Sequence, residues 1–224
     1  MADRGAVVDF DFAVANGAEV LFQTAKRFLK ELDGIKLDAS LEARYLAGKS
    51  YKDGFERLFA SVKTKKTAQK AAREFAAAFP VEMAKAVPAA VGQAFRNFVK
   101  ALVEKGVKVV IVSRAEVETV KAAFDFVPEA RIAFYRETSD CYGTCPWDSW
   151  RRACHAAQVD HRLSLAVAGS GFGVKAALHA GMGAVGVIGG RVAYQDFGGA
   201  DDVVEELSGK TAKNLLRAMR IDVK

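Results

Sequence analysis

The sequence predicts an α/β fold: a parallel sheet covered on both faces by helices, with a block of helices inserted after the first strand. Three observations lead there. Short apolar runs recur at residues 6–8, 107–112, 131–135, 163–168 and 184–188, the first two largely β-branched. The later runs alternate with stretches of helical period, the pattern of βαβ units with right-handed crossovers. Between the first two runs the periodicity is helical throughout, with no strand pattern to interrupt it.

Taken in order, Ala6–Val8 ends abruptly in Asp9-Phe10-Asp11, a buried strand whose carboxyl end presents two carboxylates. Val20, Leu21, Thr24, Ala25, Phe28, Leu29 and Leu32 then fall on one helical face, with Asn16 as the cap and Gly34 as the stop. Helix continues through Leu41–Leu46, closed by Gly48, and through Phe55–Val62 after a Ser50 cap. Ala72, Phe75, Ala76 and Phe79 form a further helix ending before Pro80. Val91–Val103 is a long amphipathic helix stopped by Gly106, and Val107–Val112 returns the chain to the sheet. Helices near Glu116–Phe124, Asp148–Gln158, Phe172–Ala180 and Thr211–Met219 separate the remaining strands. The chain therefore divides into a core of residues 1–15 and 88–224 and a helical cap of residues 16–87, with Lys63, Lys65, Lys66 and Lys70 on the cap's solvated side.

Composition narrows the class. A chain of 224 residues, 51% hydrophobic and 27% charged with only 4 Pro, can bury a core without disulfides and is neither collagenous nor disordered. No apolar run approaches the roughly 20 residues that span a bilayer, and the N-terminal residues lack a signal-peptide layout, so a cytoplasmic protein with no membrane partner is expected. Cys141, Cys145 and Cys154 match no zinc spacing and read as reduced thiols, and the three histidines form no i, i+4 pair. A net charge of +6, from 33 basic and 27 acidic residues spread along the chain, does not single out nucleic acid as a partner.

Open parallel sheets bind ligands beyond the carboxyl ends of their strands. Asp9, Asp11, Ser113, Tyr135, Arg136 and the glycine-rich Gly169–Gly173 are the residues so placed. Two carboxylates one residue apart point to opposite sides of an extended strand, so they share a ligand only if the strand is already turning. One would then be a nucleophile or metal ligand and the other a general acid. A polar strand end and a helix cap remain open for Asp9 and Asp11, and a cap for Ser113, whose hydroxyl also suits a phosphate beside helix-terminal N–H groups. The Gly169–Gly173 stretch matches neither the Walker nor the dinucleotide-binding pattern.

Four features stand in order: the DFD strand end, the helical insertion, the strand ending at Ser113, and GSGFGVKAALHAGMGAVGVI. With YLAGKSYKDGFERLF, CPWDSWRRACHAAQV and ADDVVEEL, they resemble the haloacid dehalogenase-like hydrolase superfamily over nearly the whole chain. They resemble in particular its phosphatase and phosphoglucomutase branch, which has a Rossmann-like core and an all-helical (C1-type) cap. The resemblance implies that Asp9 is a nucleophile forming an aspartyl-phosphate, that Asp11 is the general acid/base, and that Ser113 binds phosphate. It also implies a Mg²⁺ held by the Asp9 carboxylate and the Asp11 carbonyl, and a small phosphorylated metabolite as substrate. Arg44, Lys49, Tyr51 and Lys52 of the cap would select that substrate.

The motifs also depart from the family. Phe12 and Ala13 replace the expected glycine and threonine, Cys145 stands where a lysine precedes proline, and Ala168 and Gly169 replace fourth-motif acidic residues. Magnesium is therefore expected to bind weakly, with Lys175 as a substitute phosphate contact and Asp140 or Asp148 as substitute ligands, and Gly169→Asp is expected to restore a metal carboxylate. Three readings follow. They are a magnesium-dependent phosphatase, a catalytically weak or inactive relative with a binding or regulatory role, and a metal-independent dehalogenase-type hydrolase.

Overall fold

The computed structural model describes residues 3–143, 146–189, 191 and 195–221. Six strands form one parallel sheet: β1 (Gly5–Asp9), β2 (Lys108–Ser113), β3 (Ile132–Arg136), β4 (Leu165–Ala168), β5 (Gly183–Val187) and β6 (Asp202–Val204), in the order β3-β2-β1-β4-β5-β6. Val7 lies opposite Val110 on one side and Ala166 on the other. Strand order reverses at β1, so the crevice beyond its carboxyl end is the switch point where such sheets bind ligands. The edge strand β6 is absent from the sequence reading because only two valines stand between acidic residues there.

After β1 a single helical turn, α1 (Phe10–Ala13), leads into the all-helical cap. The following helices are α2 (Gly17–Asp33), α3 (Ala39–Leu41) with a π-helical turn at Glu42–Leu46, α4 (Tyr51–Val62) and α5 (Ala68–Ala90). Helices α6 (Gln93–Glu104), α7 (Val117–Lys121), α8 (Trp147–Ala156), α9 (Gly171–His179) and α10 (Gly209–Ala218) follow within the α/β core. Gly34 ends α2 in the left-handed conformation, its N–H donating to the Leu29 and Lys30 carbonyls, and the Ser50 hydroxyl caps α4 by accepting from the Asp53 N–H. Asn16 does not cap α2 with its side chain. It adopts φ 50° as a left-handed turn residue, a conformation asparagine tolerates better than most.

Pro80 does not end its helix. Helix α5 runs through Pro80 and Pro88, although an internal proline forfeits a hydrogen bond and crowds the preceding turn at a cost of about 3 kcal/mol. Phe75, Phe79, Met83 and Val87 fall on one stripe and are all fully buried. At roughly 1.5–3 kcal/mol each, their burial outweighs the proline penalty. The Phe75 ring lies against Phe28, Tyr51, Phe55 and Tyr142, so the stripe forms the centre of the cap and reaches the core loop that carries Tyr142.

That loop fastens the cap to the sheet's carboxyl edge. Gly48 N–H donates to the Tyr142 carbonyl (3.0 Å), Tyr51 N–H to the Asp140 carbonyl (2.6 Å), and Tyr142 N–H to the Lys49 carbonyl (2.8 Å). Arg191 adds ion pairs to Glu19 and Glu42, and its guanidinium lies 3.5 Å from the centre of the Phe22 ring. No single described helix is long and apolar enough to cross a membrane.

Candidate active site

Three adjacent strands, β1, β2 and β3, end in charge, and their carboxyl ends bring Asp9, Asp11, Arg114 and Glu137 together beneath the cap. Because α1 begins directly after Asp9, the strand is already turning; the Asp11 carboxylate lies 3.8 Å from the Arg114 guanidinium, and Asp9 lies within the field of that cation. All four charged residues are buried.

The hydrogen-bond donors at the end of β2 are committed internally. Ser113 Oγ–H donates to Asp11 Oδ1 (2.6 Å) and Arg114 N–H to Asp11 Oδ2 (2.8 Å), while Ala115 N–H donates to Ser113 Oγ (3.1 Å). Arg114 Nη1 lies 3.8 Å from Asp11 Oδ2, and Nη2–H donates to the Cys141 carbonyl (3.4 Å). The guanidinium also lies over the rings of Phe12 and Phe79 and bonds Tyr51, so it joins the β2 end to the cap. Asp11 thus takes the hydroxyl that the family resemblance assigns to phosphate, together with the Arg114 amide beside it.

Burial raises the pKa of Asp11, and Arg114, Ser113 and the Arg114 amide pull it back. Burial likewise pushes Asp9 up, to about 7, with Arg114 opposing the rise and Asp11 adding to it. Asp9 Oδ2 is buried with no hydrogen-bond partner. For Arg114, burial opposes the charge, but Tyr51, Asp11, Asp9 and Glu137 together raise its pKa. Burial also opposes the Glu137 charge, yet bonds from Ser149 and Ser139 and the field of Arg114 hold its pKa below the usual value.

The donor set does not fit magnesium. A Cβ on Gly169 would fall 2.1 Å from the Phe12 carbonyl carbon and 2.4 Å from the Ala13 nitrogen, so the α1 backbone fills the space that any side chain at position 169 would need. The Asp11 carbonyl oxygen is packed against Gly17, where a Cβ would lie 2.5 Å away. Among the described residues no group of three or more His, Cys, Asp or Glu side chains is placed to hold a metal. These contacts correct the expectation for Gly169→Asp, since no side chain fits at that position while α1 keeps its place. Even Gly169→Ala is expected to cost about 2–3 kcal/mol in urea unfolding, the upper part of the usual overpacking range. An unchanged midpoint would contradict the contact.

The remaining candidates are scattered. Lys175 is exposed on α9, 2.9 Å from Asp196 Oδ2. Lys52 pairs with Glu56, Arg44 lies over the Tyr45 ring, and the Lys49 ammonium faces the Arg44 and Ala47 carbonyls. Only Tyr51 of the cap set reaches the buried cluster. Asp148 pairs with Arg152, Asp140 lends its carbonyl to Tyr51, and Cys145 lies outside the described residues. Sequence reasoning missed Arg114 and Glu137. The signal was present: each charge follows directly on an apolar strand that neighbours β1 or β2.

Core, cap position and strand-end carboxylates define the class: the fold is that of the haloacid dehalogenase-like hydrolases with an all-helical cap after the first strand. No protein-family model and no curated protein sequence matches the chain. Solved structures do. CbbY from Rhodobacter sphaeroides in complex with phosphate is 18% identical with a TM-score of 0.65, over 92% of this chain and 95% of that one. β-Phosphoglucomutase from Clostridium difficile is 12% identical with a TM-score of 0.69, over 97% and 96%. A phosphonoacetaldehyde hydrolase-like protein from Oleispira antarctica is 13% identical with a TM-score of 0.67, over 98% and 94%. At these identities the likeness establishes the fold.

Proposed function

We propose that this chain is a haloacid dehalogenase-fold protein with a binding or regulatory role, in which phosphoryl transfer has been given up and the phosphate site is filled by the protein's own side chains. The observation that carries this reading is the seating of Asp11 on Ser113 Oγ–H and the Arg114 N–H, with the Arg114 guanidinium beside it. Phosphoryl transfer depends on positioned positive charge and free donors. Here the cation and both donors face a carboxylate of the same chain, and the Phe12 backbone lies against Gly169, leaving no room there for a side chain.

The test is hydrolysis of p-nitrophenyl phosphate and a panel of sugar phosphates with millimolar magnesium, by the full chain and by Asp9→Asn. The expected rates are equal and at background. Magnesium-dependent turnover that is lost in Asp9→Asn would overturn the reading.

One observation favours a second reading, a phosphatase of a small phosphorylated metabolite. Asp9 Oδ2 is buried and unpartnered, as an attacking oxygen waiting for its substrate would be. It requires the cap to open and Arg114 to release Asp11, and the same assay detects it. The fold's likeness to CbbY, solved in complex with phosphate, supports that reading.

A further inference from the structure

The opposite edge of the sheet carries a second concentration of charge, independent of the Asp9 site. In a parallel sheet every strand starts on the same edge, so the residues preceding the strands gather there. Arg4 precedes β1, Arg162 lies in the 3₁₀ turn before β4, and Arg220 follows α10. With Leu163, Asp201 and Met219 these residues line a cleft of about 390 Å³. This is a size that small ligands occupy.

The three guanidinium groups are poorly balanced. Arg4 Nη1–H donates to the Met219 carbonyl (2.9 Å), which fixes that side chain across the cleft. Among the described residues none of the three arginines lies within ion-pair distance of a carboxylate, whereas Arg27, Arg96, Arg114, Arg136, Arg152 and Arg191 do. The one carboxylate in the lining, Asp201, is tied to the start of β5, its Oδ2 accepting the Ala184 N–H (2.8 Å). Arg162 and Arg220 are exposed, and among the described residues neither guanidinium makes a hydrogen bond. Guanidinium forks match the oxygen pairs of phosphates and carboxylates, and Leu163 and Met219 supply an apolar floor.

We propose that this cleft binds a small polyanion, a molecule carrying two or more phosphate or carboxylate groups, on the sheet edge remote from Asp9. Such a ligand relieves the mutual repulsion of the three arginines and stabilises the folded chain in proportion to its occupancy.

The probes are pyrophosphate and citrate, each titrated calorimetrically into the full chain and followed by thermal unfolding, with sodium chloride at matched ionic strength as the reference. Binding of either probe beyond the chloride reference is expected, and the preferred one distinguishes phosphate from carboxylate chemistry. The variant Arg162→Gln/Arg220→Asn is expected to lose affinity about tenfold or more, since it removes two of the three charge-assisted contacts. Asparagine suits the φ of 55° at position 220, so this variant folds without added backbone strain. Ser113→Ala, at the Asp9 edge, is expected to bind like the parent. No binding beyond chloride, equal binding by the double arginine variant, or loss of binding in Ser113→Ala would each overturn the proposal. None of these outcomes depends on whether Asp9 turns over a phosphoester.

Discussion

Arg114→Met is expected to lower unfolding stability by about 3–5 kcal/mol, because removing one member of a buried ion pair strands the other. Both side chains are almost completely enclosed, at 3% and 0% exposure, so solvent cannot repair the loss. The substitution leaves Asp11, Asp9 and Glu137 facing one another without a cation and cuts the links to Tyr51, to the Phe79 ring and to the Cys141 carbonyl. Urea unfolding at neutral pH measures the effect. The double change Arg114→Met/Asp11→Leu should recover much of the loss, since an apolar pair of similar volume often replaces a buried ion pair at little cost. A loss below about 1 kcal/mol for Arg114→Met, the range of solvent-exposed pairs, would mean that water already reaches the cluster.

Asp9→Asn is expected to stabilise the protein above neutral pH. Burial raises the Asp9 pKa from 3.8 to about 7, so the folded state holds this proton more tightly than the unfolded chain does. Between about pH 4 and pH 7 the folded state therefore binds more protons, and the Asp9 contribution to stability falls as pH rises. Below pH 4 the residue costs nothing. Above pH 7 it costs the whole shift, of order 4 kcal/mol at 1.36 kcal/mol per unit. Asparagine keeps the shape and removes the titration. The difference between Asp9→Asn and the parent should be near zero at pH 4 and reach a few kcal/mol in favour of the variant by pH 8, read from urea midpoints across that range. A pH-independent difference would mean that Asp9 is solvated.

Five of the six strands were legible because they are short apolar runs between helical segments, and the cap because Phe55, Phe59, Phe75 and Phe79 repeat at helical spacing. What escaped was decided by packing. The α5 stripe that carries the helix through Pro80 is recognisable only once Met83 and Val87 are known to be buried with Phe75 and Phe79. At the site, the DFD pattern and Ser113 pointed to the right strand ends. Their internal pairing did not follow, because an arginine after a strand ordinarily faces solvent. Strand order converts Arg114 into a buried partner by placing β2 between β1 and β3. Likewise the absent fourth-motif acid reads from sequence as a gap that a mutation could fill, whereas the Phe12 backbone lies directly on Gly169.

The central claim is that Asp11 holds the donors a phosphate would need, and the amide resonances of Arg114 and Ala115 test it most directly. Beryllofluoride with magnesium mimics an aspartyl-phosphate, and its titration into ¹⁵N-labelled protein at millimolar concentration probes those donors in solution. If Asp11 holds the Arg114 amide and the Ser113 hydroxyl, whose oxygen in turn accepts from the Ala115 N–H, both amides keep their chemical shifts throughout the titration. Saturable movement of both amides, abolished by Asp9→Asn, would show that phosphate chemistry still reaches the end of β2 and would contradict the account.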